Sequence, residues 1–468
     1  MVQALDGTER ARRREAALAV VADPPADDLA AVALTWVDTS GITRTKAVPF
    51  NRLIDAAEWG VGMSPVFDAF LVDDSIVSGE YAGGPAGDLR LHPVLDRLVP
   101  LAAMPGWAWA PAERFTQEGA PHPIDARWLL GREVDRLAAE GLKVLAAFEV
   151  EWAVSKGDGE DFSPACKGPA YGMTRLAELS DYLRDVLRAL EASDVAVVQI
   201  HPEYAAGQME LSVACDDPLS AADALVLVRT VIRAVSLRHG LSASFSPKVT
   251  ADSVGNGGHV HLSLWREESP GKRVNLMAGG DGPFGMTRAG ESFAAGILEH
   301  LPALLAIGAP SVASYLRLIP SHWAGVFACW GLENREAALR FVQGPAGFRA
   351  VSANLEVKCF DGAANPYLAL AALLAAGHAG VESGGVLPEP VNDVDPALMD
   401  ADERARRGIR ALPASLEEAV AAFEKDPMMR ARFGDAFIDT VAVVRRGEAA
   451  LFEGSTPEEI TAATRWRH

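Results

Sequence analysis

Two carboxylates stand two residues apart in the segment FEVEW at residues 148–152. In an extended strand, Glu149 and Glu151 would project from one face while Val150 projects from the other. Like charges placed in this way repel each other. The pair therefore predicts one of three environments: a solvated face, a protonated carboxyl group, or a cation between the two side chains.

Further acids and imidazoles occur in strand-like segments. Two glutamates flank a Gly-Gln turn in HPEYAAGQMEL, another lies in NLEVKCF, and polar side chains alternate along GNGGHVHLSL. Taken singly, a buried glutamate is usually ion-paired and a strand histidine is usually a hydrogen-bonded core residue. Oxygen-rich ligand sets with one or two imidazoles suit Mg²⁺ or Mn²⁺ rather than zinc. The set of five carboxylates and two imidazoles predicts a site for two such ions, and its members beyond the first pair are Glu203, Glu210, His259, His261 and Glu356. Ser263 shares the strand face of the two histidines.

Three arginines could supply the anion-binding half of such a site. Arg317 lies in SYLRLIP, and Arg335 and Arg340 lie in ENREAALRF. Guanidinium groups bind carboxylates and phosphates through paired N–H groups, although surface ion pairs are an equally common role. The sequence contains no GxxxxGK[ST] phosphate loop. Metal-bridged phosphates held by arginines are the alternative way to stabilise phosphoryl transfer.

The elements that must position these residues suggest two domains. A β-rich region with a hairpin turn at Ser40-Gly41 extends to about Glu113 and is followed by a Gly- and Pro-rich linker. Strands and long helices then alternate, and the pattern predicts helices from an N-cap at Asp125 to Gly141, from Pro218 to Gly240 and from Pro366 to Gly377. A length of 468 residues also favours more than one domain.

Composition restricts the class of protein. Lys and Arg number 43 against 63 Asp and Glu, and the formal charge of −20 argues against nucleic acid or an anionic membrane as a partner. No apolar run approaches the roughly 20 residues of a membrane helix. The four cysteines are scattered, without a CxxC pair, which is consistent with a reducing cytoplasm.

The order of these motifs resembles the type I glutamine synthetase family and its bacterial γ-glutamyl-amine ligase relatives, the γ-glutamylethanolamide and γ-glutamylpolyamine synthetases. The resemblance spans most of the chain and includes NLEVK followed by DGAANPYLALAALLAAG. It implies an α+β fold, with a helical extension at 1–27, a β-grasp domain at 28–122 and a catalytic domain at 123–468 built on a curved antiparallel sheet. It also implies a homo-oligomer, a dodecamer of two hexameric rings, with each site between neighbouring subunits.

The resemblance assigns roles to the motif residues. Glu151, Glu203 and Glu210 would bind the metal ion nearer the substrate L-glutamate, and Glu149, His259 and Glu356 would bind the ion nearer ATP. His261 and Ser263 match nucleotide-contacting positions, and Gly255 matches a glycine close to the substrate glutamate. Arg317 would hold the α-carboxylate, with Arg335 and Arg340 on the phosphates. Lys358 stands where the family usually has arginine, which weakens a two-pronged hold on the substrate.

The resemblance also implies a two-step reaction. The γ-carboxylate of glutamate attacks the terminal phosphate of ATP, and a nitrogen nucleophile then attacks the resulting γ-glutamyl phosphate. The metal ions and arginines would stabilise the negative charge that develops in the first step.

The chain departs from the family at the acceptor pocket. Glutamine synthetases carry a glutamate in a flap that resembles RLVPGYEAP, but this segment reads RLIPSHWAGV and places Trp323 there. A second acid, in GxGFDGSS, aligns loosely with GVGMSPVF and puts Ser64 at its position, although Asp68 follows nearby. An aromatic pocket is poor for NH₄⁺ but suits the ammonium group of an organic amine.

Ethanolamine, polyamines, alkylamines and anilines are the candidate acceptors, and a small primary amine such as ethanolamine is favoured. Polyamines would benefit from further carboxylates in the pocket, for which Asp73 and Asp74 are candidates, although an exposed turn is the more common place for such a pair.

Two alternatives remain open. The first is an ammonia-using glutamine synthetase whose flap base is supplied from elsewhere in the chain. For either acceptor, His322 beside Trp323 is a candidate base, and an exposed loop histidine without a role is the competing interpretation. The second is a catalytically silent regulatory relative. The complete set of metal ligands argues against the second, because buried carboxylates are costly to hold together without a role.

Overall fold

A small sheet begins the structure, a computed structural model that describes residues 4–157, 159–269 and 271–468. Its strand order is β2-β1-β6-β4-β3, with β5 beside β6, and β1 and β6 run parallel. The predicted hairpin is confirmed as β1–β2, and the β-grasp assignment stays a prediction. The strands are β1 Ala31–Val37, β2 Thr43–Pro49, β3 Val61–Met63, β4 Leu89–Pro93, β5 Val99–Pro100 and β6 Trp107–Thr116.

Ten further strands form the large curved sheet, in the order β16-β13-β14-β15-β11-β7-β9-β8, with β10 beside β7 and β12 beside β11. The predicted antiparallel sheet has one exception in the described residues, because β13 and β14 pair in parallel. The strands are β7 Leu142–Lys156, β8 Val197–Pro202, β9 Gln208–Val213, β10 Leu241–Ser244, β11 Val260–Ser269, β12 Lys272–Asn275, β13 Phe327–Leu332, β14 Ala337–Val342, β15 Asn354–Val357 and β16 Arg410–Ala411.

Helices surround the sheets, and together these elements confirm the α+β fold class. The α-helices are α1 Gly7–Ala22, α2 Leu53–Trp59, α3 Ala126–Ala139, α4 Met173–Glu178, α5 Ser180–Glu191, α6 Pro218–Arg238, α7 Arg288–Gly308, α8 Val312–Arg317, α9 Arg349–Ser352, α10 Pro366–Ser383, α11 Ala401–Arg406, α12 Leu416–Lys425, α13 Pro427–Phe433, α14 Asp435–Leu451 and α15 Pro457–Thr464. The predicted extension at 1–27 contains α1, and its residues 1–3 lie outside the described part. No helix in the described ranges is long and apolar enough to span a bilayer.

Local capping explains two of the predicted helices. Asp125 accepts a hydrogen bond from the Trp128 N–H at the start of α3, and Asp217 caps α6 in the same way. The predicted end of the third helix was wrong, because α10 continues beyond Gly377 to Ser383. At Gly377 a β-carbon would lie 2.3 Å from the ring of Phe293, so this glycine permits close packing against α7 rather than ending the helix.

Strand β7 shows how the sheet separates core from site. Alternate residues, among them Val144, Phe148 and Val150, belong to the main hydrophobic core. The intervening Glu149 and Glu151 line a cavity on the opposite face. The period of two in FEVEW thus places both carboxylates on one face, as expected.

A buried ion cluster joins the small sheet to the start of α3. Arg114 on β6 donates hydrogen bonds to Asp68 at 2.5 Å, to Asp125 at 3.0 Å and to the Ile124 carbonyl at 2.9 Å. Burial alone would raise the pKa of Asp68, but Arg114 and His122 bring it below its usual value. One guanidinium therefore satisfies carboxylates from both sides of the linker.

Arg114→Met is expected to lower the free energy of unfolding by about 3–5 kcal/mol, because two buried carboxylates lose their guanidinium partner and His122 remains beside Asp68 only. The shift of the urea midpoint at constant slope measures this loss. The control is Arg14→Met, which removes an exposed partner of Glu58 and should cost no more than about 1 kcal/mol. Equal losses for both variants would contradict the role given to Arg114.

Candidate active site

A cavity of about 800 Å³ opens on the face of the large sheet that carries the acidic residues. Side chains from β7, β8 and β9, from the segments 248–255 and 319–323, and from α8 and β14 converge on it. The predicted site residues that line it are Glu149, Glu151, Glu203, Glu210, Gly255, His259, Arg317, Trp323, Arg335, Arg340 and Lys358.

Strand register assembles the first group of ligands. Arg340 on β14 lies opposite Glu356 on β15, which lies opposite His261 on β11. His259 precedes β11, and its Nδ1 atom is 2.9 Å from Glu149 Oε2 and 3.5 Å from Glu356 Oε1. Glu149, His259 and Glu356 each offer a donor atom within 4.8 Å of the others, so they could share one ion.

A second row across the sheet assembles the other acids. Glu151 on β7 lies opposite Glu210 on β9, which lies opposite His201 on β8. Glu203 follows the end of β8, and with His201 and Glu210 it forms a second group whose donor atoms lie within 4.8 Å. Gln208 Nε2 donates to Glu151 Oε2 at 2.9 Å and holds that carboxylate in place.

Electrostatics differ between the two groups. Burial raises the pKa of Glu151, and Glu210 adds to the effect. Burial and the nearby Glu151 raise the pKa of Glu203 to about 7. Burial also acts on Glu149, but its hydrogen bonds with His259 and His261 hold its pKa well below the usual value. Crowded carboxylates with an imidazole in the set are suitable ligands for Mg²⁺ or Mn²⁺, and the residues fit such ions.

The arginines differ in how far their N–H groups are already used. Arg317 is 6% exposed, and its Nη2 atom donates to the Lys358 carbonyl at 3.1 Å. Its Nη1 atom has no hydrogen-bond partner among the described residues. Arg335 is exposed in the turn before β14, whereas Arg340 donates to Glu356 at 2.9 Å and to Glu333 at 2.6 Å. Arg317 and Arg335 both line the cavity, and the buried Nη1 of Arg317 still lacks a partner among the described residues, so these two arginines are the candidates for binding an anion there.

Two glycines are required by close contacts at this site. A β-carbon at Gly255 would lie 2.2 Å from the Pro247 carbonyl oxygen and 2.8 Å from Arg317. A β-carbon at Gly257 would lie 2.6 Å from His259 Nε2 and 2.8 Å from Glu151 Oε1. Any larger residue would displace the side chains that bind the proposed ligands.

Aromatic side chains form one end of the cavity. Trp323 is 52% exposed and meets Tyr204 edge to face, with ring centroids 6.0 Å apart. The Tyr171 hydroxyl donates a hydrogen bond to Glu203 Oε2 at 2.9 Å. We call these three residues, Tyr171, Tyr204 and Trp323, the aromatic wall. His322 also lines the cavity, and its Nδ1 atom lies 2.8 Å from the Pro320 carbonyl oxygen.

Some predicted residues lie behind the cavity surface. Glu356 is 1% exposed beneath Arg340 and Lys358. His261 Nε2 is 3.1 Å from Glu149 Oε1, and its Nδ1 atom is 2.9 Å from Asn354 Oδ1. Ser263 was expected to contact nucleotide, but its hydroxyl accepts a hydrogen bond from Trp265 and does not line this cavity.

The residues near the small sheet that were considered for the acceptor pocket lie outside the cavity. Ser64 caps a short 3-10 turn by accepting the Val66 N–H at 3.2 Å, and Asp68 belongs to the Arg114 cluster. Asp74 pairs with Arg44 at 2.7 Å and with Arg467 at 2.8 Å. None of these residues, nor Asp73, lines the cavity of its own chain. A role for Ser64 in the site of a neighbouring subunit stays a prediction.

Sequence reasoning missed several residues of the cavity. His201 lies two positions before Glu203, so the period of two could have identified it. Its hydrogen bond with Glu210 raises the pKa of His201 to about 9. Tyr171 and Tyr204 lie in irregular segments, where no periodicity signals which way a side chain points. Gln208 begins β9, and only the fold brings it to Glu151.

Comparison with known proteins gives consistent matches. The sequence profile of the family "Glutamine synthetase, catalytic domain" matches residues 123–462. The chain is 56% identical over 440 residues to gamma-glutamylpolyamine synthetase GlnA3 of Streptomyces coelicolor. The alignment covers 93% of each of the two proteins. It is 30% identical over 446 residues to the glutamine synthetase of Pyrococcus abyssi, covering 93% of this chain and 94% of that protein.

Solved structures show the same likeness. The crystal structure of a glutamine synthase homologue superposes with a TM-score of 0.83 at 32% sequence identity, covering 95% of this chain and 99% of the other. A complex of GmaS with ADP superposes with a TM-score of 0.80 at 28% identity, covering 94% and 96%.

Proposed function

The chain belongs to the glutamine synthetase family of ligases, and from this premise we propose that it joins the γ-carboxyl group of L-glutamate to a primary organic amine. ATP is converted to ADP and phosphate in the same cycle. The observation that carries the proposal is the aromatic wall, because Trp323 occupies the flap position where glutamine synthetases have an acid. The 56% identity to a named γ-glutamyl ligase supports it.

The two ligand groups account for metal binding in this proposal. Glu149, His259 and Glu356 would hold one Mg²⁺ or Mn²⁺. Glu203 and Glu210 of the second group would hold another, together with Glu151, which lies opposite Glu210 in the sheet. When bound, such ions supply positive charge that neutralises phosphate oxygens. Burial and the neighbouring carboxylates raise the pKa of Glu151 and Glu203, and a cation between them would offset both effects.

The remaining side chains bind and orient the two acidic substrates. Arg317 lines the cavity, its buried Nη1 has no hydrogen-bond partner among the described residues, and it would hold the α-carboxylate of glutamate beside Gly255. The γ-carboxylate then attacks the terminal phosphate of ATP, the bond to ADP breaks, and γ-glutamyl phosphate forms. Arg335 and Arg340 would stabilise the charge on the phosphoryl oxygens during this transfer.

The acceptor amine would bind at the aromatic wall. The ring faces of Trp323 and Tyr204 can attract an alkylammonium group. The carboxylate of Glu203 is part of the same end of the cavity, where it accepts a hydrogen bond from Tyr171. After losing a proton, the amine attacks the acyl carbon of γ-glutamyl phosphate, and phosphate leaves as the amide bond forms. His322 is within reach of this end of the cavity and is the candidate base on the flap.

Polyamines are the acceptor class that we place first, ahead of the ethanolamine favoured from sequence. The relative at 56% identity is named for polyamines. The wall also remains half-open, with Trp323 52% exposed, so a long amine could react at one end while its other amino groups extend outward. The homo-oligomer of two hexameric rings expected from the family is also part of the proposal, and in it Ser64, which does not line the cavity of its own chain, would contribute to the site of a neighbouring subunit.

The test is phosphate release by the purified full chain with Mg²⁺, ATP and glutamate. Putrescine, spermidine, ethanolamine, isopropylamine and aniline are compared with ammonium, and products are identified by mass. We expect turnover with putrescine or spermidine at a kcat/KM about 100-fold above that with ammonium. Ammonium turnover alone would establish a glutamine synthetase. Tight Mg-ATP binding without hydrolysis would establish the catalytically silent alternative.

A further inference from the structure

The flap, residues 319–325 between α8 and β13, contains two strained residues. Ser321 has φ 61° and Trp323 has φ 55°. Side chains with a β-carbon rarely adopt this left-handed region, and such residues persist where surrounding contacts hold them. The contacts that hold these two residues are therefore informative about how the flap works.

Each strained residue is hydrogen-bonded to a carboxylate from a different part of the chain. The Ser321 hydroxyl donates to Asp395 Oδ2 at 2.6 Å, and the Trp323 N–H donates to Glu336 Oε1 at 2.8 Å. Asp395 belongs to the loop that follows α10, whereas Glu336 belongs to the turn before β14. The flap is thus attached at two points, Ser321 and Trp323.

Asn334 connects the two attachment points. Its side chain accepts the Glu336 N–H at 2.9 Å and donates to the Val391 and Val394 carbonyls at 2.8 and 3.0 Å. It is 9% exposed, so these bonds are shielded from water. The two attachment points are therefore linked, because Asn334 bonds Glu336 on one side and, on the other, the carbonyl of Val394, the residue before Asp395.

We propose that Glu336 and Asp395 are positioning residues that hold the flap so that the Trp323 ring faces the amine beside Tyr204. This inference rests on the proposed function, because it concerns the acceptor end of the same site. Neither carboxylate lines the cavity, so both act through the flap rather than by touching the substrate. Amine affinity should then depend on Glu336, while ATP and glutamate binding should not.

The first test compares two substitutions of Glu336. Glu336→Ala should raise KM for the amine about tenfold, the effect of losing one hydrogen bond to a charged acceptor, with kcat unchanged within about twofold. Glu336→Gln should restore most of the affinity, because its amide oxygen can still accept the Trp323 N–H. The KM values for ATP and glutamate should stay at wild-type levels. Asp393→Ala is the matched control, since Asp393 is an exposed carboxylate on the same loop as Asp395.

A second test does not depend on the identity of the acceptor. Hydrogen exchange of the flap amides in the full chain should become faster in Glu336→Ala but not in Glu336→Gln or Asp393→Ala. Unchanged exchange in Glu336→Ala would overturn the anchoring role. A KM increase shared equally by ATP, glutamate and amine would overturn the specificity role. If the wild-type protein uses ammonium alone, the proposed function fails, and the exchange data still decide whether Glu336 anchors the flap.

Discussion

Glu149→Gln is expected to reduce ATP hydrolysis in the presence of glutamate and amine by about a thousandfold, equivalent to about 4 kcal/mol of transition-state stabilisation. Glutamine keeps the shape of the side chain but removes the negative charge. Glu149 lies 2.9 Å from His259 and 3.1 Å from His261 on the cavity face of β7. The substitution therefore removes a proposed metal ligand while the fold of the strand is retained.

Metal binding can be measured separately from turnover. Titration with Mn²⁺, followed by electron paramagnetic resonance, should find two ions per wild-type chain and one fewer in Glu149→Gln at the same free concentration. EDTA should abolish wild-type activity, and added Mg²⁺ should restore it. The control is Glu267→Gln, an exposed carboxylate on β11 paired with Lys143, which should retain full activity. A Glu149→Gln enzyme with more than about a tenth of wild-type activity would contradict the assignment.

Trp323→Glu is expected to exchange the acceptor preference. A carboxylate at this flap position would attract NH₄⁺ and accept a proton from it, so kcat/KM for ammonium should rise about tenfold or more. Removal of the indole ring eliminates a cation–π contact with an organic ammonium group, a loss of about 0.5–2 kcal/mol. The apparent affinity for the amine should therefore fall by up to about 30-fold.

Two matched variants isolate charge from shape at this position. Trp323→Gln has nearly the size of Trp323→Glu and meets the same backbone strain at φ 55°, but it should gain no ammonium activity. Trp323→Phe keeps an aromatic face and should retain most amine turnover. An unchanged ratio of amine to ammonium turnover in Trp323→Glu would mean that the acceptor does not contact the flap.

Helices and strand faces could be predicted from the sequence where the interactions that define them join residues close together in the chain. Asp125 and Asp217 cap α3 and α6 through hydrogen bonds to residues two or three positions ahead, so the local sequence is sufficient. The shared face of Glu149 and Glu151 likewise follows from the period of a strand. The end of α10 did not follow, because Gly377 is explained by Phe293 on another helix.

The ligand set was identified from strand spacing and family resemblance, but its assembly is a property of the sheet. His261 lies opposite Glu356, and Glu151 lies opposite Glu210, only through pairing between strands that are distant in sequence. The sequence by itself determined the residue types and their faces, and its resemblance to the family predicted that Trp323 replaces the flap acid. Only the tertiary structure decided that Trp323 meets Tyr204 and that Glu336 holds the flap, because such contacts depend on register and chain path rather than on neighbouring residues.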